Sequence, residues 1–307
     1  MKQIEWRRRV ILAASLALII AGVVLATVTT IPNSALISSN VYYTDLIGGG
    51  IGTTAIMTGG GNAANVGGSA NDDGFDGPIS LGFTLNFFGT NYTQFWANNN
   101  GNISFGNGIA AYTPSGPQGA PQPIISPFFA DVDTRGAGSG LLHIRTDIPN
   151  EVIVTWDAVG YFSAHADKLN SFQLVLRGPG FTVPSGEGQV GFFYKTMTWE
   201  VGDASGGSGG FCPSGSAGCA PAAVGFGDGN SNGSILQASL TNGVASIVNN
   251  HHIWFNLAAG GVPVVSGGGT PTTTPSPARL GLLIVGLLGL GCYQWFRMRR
   301  QQGDMKS

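Results

Sequence analysis

Residues 95–106 read "FWANNNGNISFG", and the middle of that stretch decides what kind of chain this is. Asn100-Gly101 stands between two β-prone runs, Phe95-Trp96 before it and Ile103-Ser104-Phe105 after it. Asn-Gly in that setting is the strongest short-range sign of a β-hairpin, because both residues tolerate the positive φ angles that hairpin turns require. Outward from it the pattern repeats as short apolar or alternating runs separated by turn residues. "ISLGFTLNFFG" (79–89) precedes it; "GLLHIRT" (140–146), "EVIVTWDAVGYF" (151–162), "NSFQLVLRG" (170–178), "GQVGFFYKTMTW" (188–199), "AAVGFG" (222–227) and "HHIWFNL" (251–257) follow. No ten-residue window in this region carries a stripe at helical spacing. Residues 71–257 are therefore expected to form one all-β, β-sandwich-like extracellular domain, long enough to bury a core.

Composition agrees with a turn-rich exported domain: 50 of the 307 residues are glycine, without a Gly-X-Y repeat, and only 10% are charged. A formal net charge of −2 offers no basic footprint, so nucleic acid is not an expected partner. Residues 27–70 include "IGGGIGTTAIMTGGGNAANVGG" (47–68), which has no sustained period. They are expected to be a flexible lead-in with one edge strand near Val41 to Leu46.

Both ends read as membrane-directed segments. Arg7, Arg8 and Arg9 precede an uncharged run from Val10 to Val28, the layout of an export signal; residues 1–26 are expected to be a signal peptide cut after Ala26, or an uncleaved anchor. A second apolar run, residues 280–296, is followed by Arg297, Arg299 and Arg300. It reads as a short transmembrane or sorting helix with a basic cytoplasmic tail at 297–307. Between domain and helix, residues 258–279 form a stalk that includes the Gly/Pro/Thr tether "SGGGTPTTTPSPAR" (266–279), a composition that cannot build a core. These segments place the chain at the cell surface, exported and anchored to the membrane at its C-terminus.

Cys212 and Cys219 flank six small or turn-forming residues and are expected to close a loop disulfide in an oxidising compartment; zinc is the weaker reading, since no second Cys or His pair stands at ligand spacing. In "FFADVDTR" (128–135), Asp131 and Asp133 would share one face of an extended segment. They could cap turns and pair with Arg135, bind a hard cation such as calcium, or serve as an acid/base pair. Asp228, Asn230, Asn232 and Gly233 occupy the first, third, fifth and sixth positions of a calcium-loop pattern, but Ser239 replaces the bidentate Glu, so a plain Gly/Asn loop is the stronger reading. Gly206 to Gly210 formally spells G-x-S-x-G without the strand-turn-helix context of a nucleophile elbow. His143, His165, His251 and His252 form no ligand pattern. Trp96, Trp156 and Trp199 could stack on sugars, although aromatic residues within strands usually pack the core.

Taken in order, "GFTLNFFGTNYTQFWANNNGNISFG" (82–106), "IISPFFADVDTR" (124–135), "VIVTWDAVGYF" (152–162), "NSFQLVLR" (170–177), "VGFFYKTMTWEVGD" (190–203) and "AAVGFGDGNSNGS" (222–234) resemble the successive blocks of the nidogen-like extracellular (NIDO) domain. Phe129 stands where that family usually carries Trp. The resemblance implies a non-enzymatic extracellular module of matrix, adhesion and bacterial surface proteins, binding an extracellular protein or polysaccharide matrix. It supplies no catalytic residue and no cofactor, and it makes Asp131, Asp133 and Arg135 part of a turn that leaves the core. The stalk, helix and arginines resemble PEP-CTERM sorting signals, with Pro275-Ser276-Pro277 in place of the Pro-Glu-Pro triplet. The rival class is a carbohydrate-active surface protein: a lectin, or a hydrolase using Asp131 and Asp133.

Overall fold

Alternation and turn chemistry produce fifteen strands with full side-chain detail in the computed structural model, which describes residues 27–60, 68–116 and 120–266, together with the backbone of Thr272–Pro275. In chain order they are β1 Thr27–Ile31, β2 Ile37–Ser38, β3 Thr53–Thr54, β4 Phe75–Phe87, β5 Thr90–Asn98, β6 Asn102–Ser104, β7 Pro123–Phe129, β8 Leu142–Arg145, β9 Glu151–Tyr161, β10 His165–Arg177, β11 Val190–Thr196, β12 Ala223–Asp228, β13 Gly233–Leu236, β14 His251–Leu257 and β15 Pro263–Val265. One sheet runs β1-β13-β12-β7-β6-β5-β4. The second runs β15-β14-β11-β10-β9-β8-β3, with β2 also on β14. The expected signal segment at 1–26 and the transmembrane or sorting helix at 280–296 lie outside the described residues.

The two sheets pack face to face through aromatic side chains. Phe226 of the first sheet meets Phe192 and Phe255 of the second at ring separations of 5.3 and 4.8 Å, and Phe128 meets Phe172 at 5.6 Å. All five are at most 1% exposed, and burying each side chain stabilises the fold by about 1.5–3 kcal/mol. Along β4, Leu81, Leu85 and Phe87 turn inward between exposed neighbours, as alternation requires. β9 and β10 behave differently. Their near-continuous apolar runs are buried on both faces, with Val154, Trp156 and Leu174 facing the sandwich core while Ile153 and Val175 join a separate outer cluster with Tyr43, Phe193 and Trp254.

That outer cluster overturns the expectation for residues 27–70. The edge strand expected near Val41 to Leu46 is instead a short helix, Tyr43–Ile47, begun by the Asp45 carboxylate accepting from the Tyr42 amide at 3.0 Å and followed by Gly48 to Gly50, all at positive φ. Tyr43 and Thr44 cover the second sheet, where Gln173 pairs with the Thr44 amide and hydroxyl at 3.2 and 3.1 Å. β1 joins the first sheet by parallel pairing with β13, while β2 and β3 join the second. Residues 27–54 are thus woven into both sheets, with Gly48 to Gly50 in a tight turn. At the other boundary, β15 pairs with β14 from Phe255 to Leu257, so the fold runs past residue 257 into the expected stalk.

The Asn-Gly hairpin forms with Asn98 opposite Asn102 and a loop of Asn99, Asn100 and Gly101. Gly101 has φ of +74°, and a Cβ there would run into the Phe128 carbonyl oxygen, so only glycine fits.

Candidate functional site

Hairpin loop 99–101, the exit from β7 at Ala130 to Arg135, and the turn Asn71 to Gly74 that leads into β4 meet beside one another. Backbone bonds stitch them: Asn99 N–H donates to the Gly74 carbonyl, Thr134 N–H to Asn71, and Asp133 N–H to Gly160. Trp156 of the second sheet reaches across, its Nε1 donating to the Asn99 carbonyl at 3.0 Å and the Asn98 carbonyl at 3.3 Å. Asn100 donates from Nδ2 to Asp73 at 2.7 Å and accepts at Oδ1 from the Val132 amide at 2.9 Å. The buried asparagines are the fasteners of this corner, since a short polar side chain can satisfy backbone groups that a turn leaves open.

Four carboxylates gather here. Asp133 is 0% exposed and fully engaged: Oδ1 accepts from Arg135 N and Nε, both at 2.9 Å, and Oδ2 from Arg135 Nη2 at 2.6 Å and the Ala164 amide at 2.8 Å. Arg135 also bonds Asp72 Oδ2 at 2.7 Å. Asp131 is equally buried but differently placed. Its Oδ2 has no hydrogen-bond partner, and each of Asp72, Asp73 and Asp131 can offer an oxygen lying within 4.8 Å of the others'. Burial, reinforced by the charges of Asp73, Asp72, Asp133 and Asp203, pushes Asp131 up to about 8. Burial, then Asp73 and Asp133, pushes Asp72 up to about 7 against the pull of Arg135. Asp73, half-buried, is raised by burial against the opposing Asn100 bond and Arg135. The Arg135 guanidinium bonds only two of these four carboxylates, Asp133 and Asp72.

The paired reading of Asp131 with Asp133 is therefore corrected. The neighbours that share Asp131's space are Asp72 and Asp73, about sixty residues earlier in the chain, and sequence reading passed over them although "NDDG" stands directly before β4. The calcium-like loop closes on itself: Asp228 Oδ1 accepts from the Asn230 and Asn232 amides at 2.7 and 2.9 Å, and Oδ2 from Asn232 Nδ2 at 2.6 Å. Cys212 and Cys219 are bonded, with Cα atoms 5.7 Å apart. Gly206 to Gly210 is a loop after a short 3-10 turn, with no strand-to-helix elbow around Ser208. Trp156 and Trp199 are wholly buried in the core, whereas Trp96 is half-buried. Of the histidines, His165 meets Asp203 at 2.9 Å and His252 stacks on Phe193 at 5.1 Å.

The family model described as "NIDO related" matches residues 52–260, well over half of the chain. The chain belongs to the NIDO-related family. Alpha-tectorin of Mus musculus is 30% identical over 164 residues, covering 44% of this chain, and alpha-tectorin of Homo sapiens is 29% identical over the same length and share. The match spans 7% of either tectorin's length. No solved structure matches. Within the NIDO-related fold, hairpin loop Asn99 to Gly101, the segment Ala130 to Arg135 and the Trp156 side chain converge on the corner built above.

Proposed function

We propose that this protein is a non-enzymatic, exported cell-surface module whose NIDO-related domain engages an extracellular protein or polysaccharide matrix, with residues 280–296 anchoring or sorting it at the membrane. The observation that carries the reading is the state of the residues that chemistry would need. Asp133 has every oxygen committed to Arg135 and backbone amides, which leaves Asp131 without the acid/base partner nominated for it, and Ser208 lacks an elbow. Family membership and the likeness to alpha-tectorin support an extracellular, matrix-type role. Protease treatment of intact cells tests the placement: the domain should be shaved from the surface, and protection would defeat it. Binding of the purified chain to isolated envelope material tests the role, and absence of binding would count against it.

Trp96 favours a second reading as a lectin, because it is the one of the three nominated tryptophans that reaches the surface. Selective sugar binding on a glycan array, lost in Trp96→Ala, would establish that reading in place of the first.

A further inference from the structure

Six buried side-chain nitrogen or oxygen atoms among the described residues lack a hydrogen-bond partner, and four of them belong to the corner described above: Asn71 Oδ1, Asp72 Oδ1, Asn99 Oδ1 and Asp131 Oδ2. All four are acceptors. Buried polar groups are paired almost without exception in folded proteins, so four unpaired oxygens in one place call for a common partner. Asn99 and Asn71, both 1% exposed, extend the set beyond the carboxylates. Asn99 donates from Nδ2 to the Val132 carbonyl and from its backbone to Gly74. Its side chain thus lies between the segment carrying Asp131 and the turn carrying Asp73, and the Nδ2 bond fixes which end of the amide is the free oxygen. Asn71 Oδ1 packs against Gly74 inside that same turn, close enough that a Cβ at Gly74 would collide with it.

We propose that Asp72, Asp73 and Asp131 hold one divalent cation, calcium, with the free amide oxygens of Asn71 and Asn99 contributing to the oxygen cage. Oxygens bound to one calcium at 2.3–2.6 Å can be no more than about 5 Å apart, and the three carboxylates meet that limit. A donor set made only of oxygen selects a hard cation over zinc or copper. Calcium accommodates irregular oxygen cages better than magnesium, which demands a near-octahedral shell and keeps its waters. Charge points the same way: among the described residues Arg135 is the cation that pairs with this group, and it bonds Asp72 once and is committed chiefly to Asp133. The half-buried Asp73 leaves a way in from solvent. The cation would tie the turn before β4 to the segment after β7, a fastening role independent of what the surface binds.

Calorimetric titration of the full-length chain, stripped with EDTA, with calcium chloride alone tests this. Saturable binding of one calcium per chain, with a matching rise in the thermal midpoint, is expected in the wild type and in Asp228→Asn. Both should be lost in Asp131→Asn and weakened at least tenfold in Asp73→Asn, whose half-exposed position makes misfolding a poor explanation; far-UV circular dichroism checks that each variant retains its strands. Absence of saturable binding in the wild type at millimolar calcium overturns the site. Undiminished binding in folded Asp131→Asn overturns the ligand assignment, and binding of magnesium with calcium inert overturns the choice of ion.

Discussion

Arg177 and Arg135 both sit among carboxylates, yet their surroundings are built on opposite plans. Arg177 is wholly buried on the outer face of the second sheet, donating to Glu151 at 2.7 Å, Glu187 at 2.6 Å, the Tyr43 hydroxyl at 2.7 Å and the Gly188 carbonyl at 3.0 Å. Tyr43, Phe181 and Trp254 lie over its guanidinium at 4.4–5.1 Å. One cation there faces two carboxylates and every one of its three nitrogens donates; Glu151 Oε1 is the one buried carboxylate oxygen of the pair left without a partner. At the other corner Arg135 bonds two of four carboxylates, Asp133 and Asp72, and four acceptors stay open. A cluster that closes on itself serves stability, while one short of positive charge and donors is arranged for something that arrives from outside.

The largest expected effect breaks the closed cluster. Arg177→Met leaves Glu151 buried with little compensation, and removing one partner of a buried pair costs about 3–5 kcal/mol. Urea unfolding should show that loss equally with calcium and with EDTA. The open cluster should respond the other way: wild-type stability should rise by about 2.7 kcal/mol at calcium one hundred times its dissociation constant, with no change in Asp131→Asn. Without divalent ions, protons should take the cation's place. Asp131's folded value, raised from 3.8 to about 8 chiefly by burial, lets the native state keep a proton that the unfolded chain has lost. Its stability contribution is complete below about pH 4 and fades as pH rises through 8. In EDTA the wild type should therefore lose stability relative to Asp131→Asn between pH 4 and 8; parallel curves would show that the corner carries no such strain.

Asp133→Ala should be costly but insensitive to calcium. Three donor groups of Arg135 and the Ala164 amide lose their acceptor, for about 1–3 kcal/mol in chemical denaturation. A calcium-dependent loss would merge Asp133 with the open cluster. The smallest effect is expected at the surface, where Lys195 meets Asp45 at 3.0 Å with both side chains 40% exposed. Lys195→Ala should cost no more than about 1 kcal/mol, and a larger loss would show that the pair, with Tyr42 beneath the ammonium at 4.7 Å, pins the short helix onto the second sheet.

The linear chain carried what depends on near neighbours. Alternation at period two, the Asn100-Gly101 turn and the unbroken apolar runs of 152–154 and 174–176 specify strands, because backbone geometry sets which side chains face together within a few residues. The spacing of Cys212 and Cys219 likewise permits one short loop closure. What sequence could not convey is which distant groups share a space. Residues 27–54 read as part of a flexible lead-in because a five-residue helix and two-residue strands are too short to leave a period, yet they are held by contacts to β8, β10, β13 and β14. Asp131 and Asp133 are one residue apart and look alike, yet one is saturated by Arg135 and Ala164 while the other is left among Asp72, Asp73 and Asn99. Only tertiary packing decides that difference, because the carboxylates that crowd Asp131 and the Ala164 amide that completes Asp133 come from residues about thirty to sixty positions away.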